Sequence, residues 1–255
     1  MKSMIPSGSA AFIKALKGQS VKITTVSGGQ TASFIAVQPA TGNFVGQETV
    51  RDNLIHSSLK FIKDNEQNFF GVIGKPSFFL DAFGSKAFEV IGFSKNASQL
   101  DLSLPGCSHR IYEDARLGCR DLLLGALIAG LSEDELIEWL PSQGLVDNAL
   151  QLKKELRQGI VSGRDLKLAL MILFRRDYVD ALNQLSTPRI IPSTINFFMK
   201  TGLDRKGKHL TFTTQLPQNS FVELKALQDF FIGVASCPGG KPSNPKPSGI
   251  IVEVK

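Results

Sequence analysis

Hydrophobic and polar residues change rhythm twice along this chain, near Tyr112 and near Ile190. Before the first change the rhythm is that of strands. Val21-Lys22-Ile23-Thr24 alternates, Ser27-Gly28-Gly29-Gln30 carries turn residues, and Phe34-Ile35-Ala36-Val37 supplies a second apolar run. Two further runs, Phe69–Ile73 and Phe88–Phe93, extend the β region and flank Gly-Lys-Pro and Gly-Ser-Lys turns. The segment Glu48–Lys63 fits helix and strand equally.

The middle of the chain, from about Tyr112 to Leu185, has helical spacing. Asp121–Leu131 is apolar nearly all round, which predicts a buried helix. Ser132-Glu133-Asp134-Glu135 is a capping box, in which Ser132 accepts from the amide of Glu135 while the Glu135 carboxylate reaches back. Pro141 and Gly144 are predicted to end that short helix. Asn148–Gln158 is amphipathic through Leu150, Leu152 and Leu156. Ser162 can cap one more helix running through Leu166, Leu170, Leu173, Tyr178 and Leu182. The pattern then returns to β at His209–Leu216, Phe221–Leu227, Phe230–Ala235 and Ile250–Val254, with Pro238–Gly249 as a loop. These rhythms predict an α+β fold: a mainly antiparallel β body, barrel or sandwich-like, built from both chain ends around a helical block.

Composition narrows the class. A chain of 255 residues, 42% hydrophobic, can bury a full core as one domain. Three widely spaced cysteines are too few and odd in number for a secreted disulfide framework, so reduced thiols in the cytoplasm are expected. No signal peptide is read at the N-terminus. The longest apolar stretch, Leu122–Leu131, is about half of the roughly 20 residues a membrane helix needs. The net charge of +6 is scattered among carboxylates and predicts a solvated surface rather than a nucleic-acid patch. Oligomers, homomeric or heteromeric, stay open.

The three cysteines are the first candidates for chemistry. Cys107 lies in Pro105-Gly106-Cys107-Ser108-His109, Cys119 follows Gly118 at the start of the predicted buried helix, and Cys237 precedes Pro238-Gly239-Gly240. Each sits at the edge of an element beside Gly or Pro. A helix N-terminus is expected to lower the Cys119 thiol pKa. On spacing alone the three are either buried free thiols or ligands of one metal ion, and no Cys-x-x-Cys knuckle decides it.

The stretch Phe221-Val222-Glu223-Leu224-Lys225-Ala226-Leu227-Gln228-Asp229, running on into Ala235-Ser236-Cys237-Pro238, resembles the signature of the urea carboxylase-associated protein family, a domain of unknown function. Gly18–Ile23 with Gly29-Gln30 resembles that family's N-terminal hairpin. Asp101–Cys107 with Cys119 resembles its paired-cysteine region, and Pro192–Met199 its Asn-x-Phe-Met segment. The resemblance implies one family-type domain over 1–255, with a helical insertion at about 112–185. It implies a zinc ion (Zn2+) held by Cys107, Cys119 and Cys237, and a role in nitrogen metabolism. Some members are thought to act as deiminases on carboxyguanidine, feeding a carboxylase. Three departures stand out: Ser33 replaces an acidic residue, Leu100 replaces a His, and the helical block is longer.

The activity so implied is hydrolysis of a C–N bond, other than a peptide bond, in a small guanidino or ureido compound. A three-thiolate zinc leaves one position open to activate water, and a separate carboxylate moves protons. Asp101 and Glu48 are the candidate carboxylates, and Asn196 can hydrogen-bond the substrate. Asp229 reads as a hairpin residue, and His109 as a surface or neighbouring residue or a fourth ligand. His56 and His209 have no evident partner. The alternative is a non-catalytic zinc-containing accessory of a urea or guanidine carboxylase, or a protein that binds a small ligand.

Overall fold

The computed structural model describes residues 1–39, 44–46, 87–94, 100–101, 107–108, 117–140, 143–156, 159–174, 178–185, 193–203, 210–213, 216–239 and 247–255. The expected strand Phe69–Ile73, the segment Glu48–Lys63, and His56, His109 and His209 lie outside them.

Short strands that alternate between two sheets build the β body. Strands β1 (Lys2–Pro6) and β2 (Ser9–Ala15) are joined by a turn at Ser7-Gly8, where Gly8 takes the positive φ of 72° that favours glycine. Strands β3 (Ser20–Thr25) and β4 (Ala32–Val37) follow, then β5 (Phe44–Val45), β6 (Phe88–Phe93) and β7 (Leu100–Asp101). After the helical block come β9 (Ile195–Phe197), β10 (Lys200–Leu203), β11 (Leu210–Thr213), β12 (Phe221–Ala226), β13 (Phe230–Ser236) and β14 (Gly249–Val254). One sheet has the order β1-β14-β3-β12-β6. The other runs β7-β9-β4-β13-β2-β8, with β5 against β4; β8 belongs to the helical block. A separate pair is β10-β11. All these pairings are antiparallel, and among the described residues the arrangement is sandwich-like with no closed barrel.

Period-2 alternation divides the second sheet between two cores. Along β13, Phe230, Ile232 and Val234 point into the space between the sheets, while Ala235 and the following Cys237 point to the helices. Along β4, Phe34 faces the inter-sheet core and Ile35 the helical one. Phe34 meets Phe88 and Phe197 edge-on, at centroid distances of 5.7 and 5.5 Å, and Phe88 stacks on Phe230 at 4.6 Å. Such pairs add to the area they bury.

Helix α1 (Cys119–Gly130) lies on β2 and β13, and its residues from Asp121 to Ala129 are all buried, as its uninterrupted apolarity predicts. Two glycines permit the close contact. A Cβ at Gly130 would stand 2.2 Å from the Phe12 ring of β2, and one at Gly233 of β13 would stand 3.0 Å from Leu123. Helix α2 (Glu133–Trp139) begins at the expected capping box: the Glu135 amide donates to Ser132 Oγ at 3.2 Å, and the Ser132 amide to Glu135 Oε2 at 2.7 Å.

The helical block departs from the sequence expectation in three places. Helix α3 (Gln143–Glu155) starts early, so Gly144 lies inside its first turn instead of ending α2. Its buried stripe is Val146, Ala149 and Leu152, which sets the boundary better than the leucines alone. A strand interrupts the block: β8 (Ile160–Ser162) pairs with the edge of β2, Val161 opposite Ala10. Gly159, at φ 105°, breaks the helix before it, and buried Val161 fills a gap in the helical core. Ser162 does cap a helix, donating to Asp165 Oδ2 and accepting from the Asp165 amide at 3.1 Å. That helix, however, is two: α4 (Gly163–Phe174) and α5 (Tyr178–Leu185). Near the N-terminus, β1 and β2 were not expected, because small residues such as Ala10 and Ala11 carry little strand signal.

Leu123 is fully buried where α1 meets Gly233 and Ile35. Leu123→Ala should destabilise the protein by roughly 2–5 kcal/mol in chemical denaturation. A loss well under 1 kcal/mol would mean that α1 is not the helix holding the second sheet.

Candidate metal centre

The fold brings the three cysteines together. Cys237 follows β13 on the helical side, Cys119 opens α1, and Cys107 lies against the turn before that helix. Gly118 makes this possible. A Cβ there would stand 2.4 Å from the carbonyl carbon and oxygen of Cys107 and 2.6 Å from the Ser108 nitrogen. Its φ of −97° is ordinary, so the need for glycine is one of space alone. The first amides of α1 then address Cys107: Cys119 N–H donates to Cys107 Sγ at 3.2 Å and Arg120 N–H to the Cys107 carbonyl at 2.9 Å. Buried Asp121 accepts from the Gly118 amide at 2.8 Å and fixes the same turn.

Cys237 is held by its backbone. Its carbonyl accepts from Gln30 Nε2 at 2.9 Å and from Ser7 Oγ at 2.9 Å, and its amide donates to the Thr31 carbonyl at 3.0 Å. Gln30 is fully buried, and its own oxygen accepts from the Ser248 amide.

The thiols are free rather than paired in a disulfide, and they interact with one another. Hydrogen bonds with Cys107 and Cys237, then burial, hold the Cys119 pKa well above the ordinary thiol value. This corrects the expectation of a lowered pKa: the helix terminus serves Cys107 through an amide, while Cys119 is buried among sulfurs. Cys237 is pushed up to about 11, first by its hydrogen bond with Cys107 and then by burial, with Cys119 and the Gly239 amide opposing. Among the described residues, no three His, Cys, Asp or Glu side chains are already disposed as a set of metal ligands. The thiols touch, therefore, but as hydrogen-bonded neighbours and not as a finished coordination sphere.

Of the other candidates, Asn196 is buried, and its Oδ1 accepts from Ser33 Oγ at 2.8 Å and Thr194 Oγ1 at 3.1 Å. Asp101 stands opposite Asn196 in the β7–β9 register. One row across the sheet therefore reads Asp101, Asn196, Ser33, Ala235 and Ala10. Three strand spacings separate β7 from β13, roughly 14 Å along the sheet. The backbone of Asp101 thus shares a row with Asn196, three strands away from β13. Glu48 lies outside the described residues. Asp229 accepts from the Lys17 amide at 2.7 Å, a structural role in a turn. Thr31, Ser33 and Thr194 were not singled out as site residues. The available signal was the spacing of Thr31 and Ser33, two polar residues on one face of a strand whose neighbours are all apolar. A cleft of about 650 Å3 opens beside Leu117 and Pro238 and carries Arg164 and Lys167.

The fold is similar to that of a crystal structure of a DUF1989 family protein from Silicibacter pomeroyi DSS-3. The TM-score is 0.52 and the identity 12%, over all of this chain and 76% of that one. At this identity the likeness is one of fold. No family model matches the sequence, and no curated protein matches it. Among the described residues no helix is long and apolar enough to cross a membrane.

Two predictions follow from the thiol geometry. Raised thiol pKa values mean that the folded state holds protons more tightly than the unfolded chain, so this stabilisation is complete below the ordinary thiol value of 9.0 and is lost as pH rises toward about 11. Metal-free protein should therefore lose stability across that window, and Cys107→Ala should flatten the loss; equal slopes in denaturation at graded pH would refute the coupling. Gly118→Ala should move Cys107 away, and thiolate absorbance should then show Cys237 titrating nearer its ordinary value.

Proposed function

We propose that this chain binds one zinc ion through Cys107, Cys119 and Cys237 and hydrolyses a C–N bond in a small guanidino or ureido compound. The supporting observation is the meeting of the only three cysteines of the sequence at one place, with a helix amide donating to one sulfur. The donor set fits a thiophilic ion. Cys119 and Cys237 hold their protons more tightly here than ordinary thiols do, and a divalent cation would reverse that by favouring thiolate. Cys107, Cys119 and Cys237 would hold the ion in place of the hydrogen bonds they share as thiols.

Zinc, when bound, supplies a Lewis acid that activates water. The chain's own groups do the rest. The Cys119 amide steadies the charge on Cys107, and the Gln30 and Ser7 bonds keep the Cys237 backbone in place. The Ser33–Asn196–Thr194 hydrogen bonds fix the Asn196 amide in one orientation, which suits it to orient a planar substrate. Asp101, in the same row, and Glu48 are the carboxylates proposed to carry protons to the leaving nitrogen. Free thiols of this kind fit a reducing compartment such as the cytoplasm. The structural neighbour, a member of a family of unknown function, agrees with this reading in fold and adds nothing about chemistry.

The second reading is a non-catalytic zinc-containing accessory protein of a urea or guanidine carboxylase, or a small-ligand binder. It is favoured by Ser33, whose hydroxyl is spent on Asn196 where the resembling family carries an acid.

Anaerobically purified protein should contain about one zinc per chain, and Cys119→Ala should abolish it. Ammonia should be released from at least one guanidino or ureido compound. Asp101→Ala or Glu48→Ala should lower that rate by roughly 10²–10⁴-fold with zinc content unchanged. Stoichiometric zinc with no ammonia from any such compound selects the accessory reading; absence of zinc refutes both.

A further inference from the structure

Two buried hydroxyls have no hydrogen-bond partner among the described residues, Thr31 Oγ1 and Ser236 Oγ, and both adjoin Cys237. They face opposite ways. Ser236, paired with Ala32 and Ser9, has the parity of Val234 and faces the inter-sheet core. Thr31 has the parity of Ser33 and Ile35 and so stands on the helical side, at the register position opposite Cys237.

The Thr31 backbone is held from two directions, because its carbonyl accepts from the Cys237 amide at 3.0 Å and from Gln30 Nε2 at 3.2 Å. The hydroxyl contributes to neither bond. Thr31 is 3% exposed, and burying a hydroxyl without a partner is unfavourable. Valine would keep the branched shape, and so the packing, without that cost. Ser33, two residues along the same face, shows the contrast: its hydroxyl is satisfied by Asn196. A buried polar atom is thus left open between the thiols and the Asn196 row.

We propose that Thr31 is a ligand-binding residue whose hydroxyl hydrogen-bonds a nitrogen of the small guanidino or ureido compound held beside the thiols. A hydroxyl can accept from an amino N–H or donate to an imino lone pair, so it serves either kind of nitrogen. The ligand class rests on the function proposed above; the orphan hydroxyl does not.

The test compares wild type, Thr31→Val and Thr31→Ser, using urea, N-methylurea, guanidine and methylguanidine at millimolar concentration as probes in calorimetry, with zinc content and probe-free melting measured alongside. Without probe, Thr31→Val should melt at or above the wild-type temperature, since no bond is lost. It should bind the probe that wild type binds at least about tenfold more weakly, whereas Thr31→Ser should stay within about threefold. A Thr31→Val protein that melts several degrees lower has lost a structural partner, and one that binds the probe as tightly as wild type does not use the hydroxyl; either result overturns the proposal. Thr31-dependent binding in a protein without zinc overturns the metal reading and leaves this one standing. Wild type that binds none of the probes overturns both.

Discussion

Strand β13 has to satisfy two hydrophobic cores with one backbone. A strand offers its side chains alternately to its two faces, and here neither face meets water: one side closes against the first sheet, the other against α1. A shift of one residue in its pairing with β2 and β4 would exchange the two sets, placing Phe230 and Ile232 under a helix that approaches closely because Gly233 has no side chain. That double constraint also fixes where the strand ends, and so where Cys237 points. Placing a thiol at the end of the most restrained strand is a way of making its position insensitive to the loop that follows.

The three thiols arrive by different means. Cys237 depends on the sheet, Cys119 on helix packing, and Cys107 on the peptide-to-peptide contact that Gly118 allows. Three different kinds of contact thus converge on one point. As thiols they make a crowded set, in which hydrogen bonding to Cys107 and burial hold the protons of Cys119 and Cys237. As thiolates they would repel. A cation is the simplest partner that removes both penalties, which is the physical reason for reading the cluster as a metal centre.

Much of the architecture was legible in the sequence and some of it was not, for identifiable reasons. The buried character of α1 showed in its lack of polar positions, and the start of α2 in a capping box whose two bonds both form. Strands β3, β4, β12 and β14 showed as alternation or as short apolar runs. β2 was hidden because alanines on both faces, Ala10 toward the helices and Ala11 and Ala15 toward the first sheet, blur its alternation, and β8 because three residues are too few for any period to register. At the site, the cysteines drew notice by their scarcity. Thr31 did not, and Ser33 did so only as a departure from the resembling family, since a hydroxyl in a β-branched or small residue is common in strands and only the register reveals what it faces.

The pairing order of the first sheet bears on how the chain reaches this structure. β14 is the last strand in sequence, yet it sits between β1 and β3. During ribosomal synthesis β1 can therefore find no neighbour in its own sheet until residues 249–254 have emerged. The opposite sheet and α1 are already available by then, so their contacts can form while the first sheet is half built. Closing a loop of this length is slow relative to local helix formation, and in the interval the edge of β3 is open to other strands. A chaperone or rapid completion of the chain would shorten that exposure. The same topology means that a nascent chain lacking residues 249–254 is not slightly destabilised but missing the strand that joins β1 to its sheet.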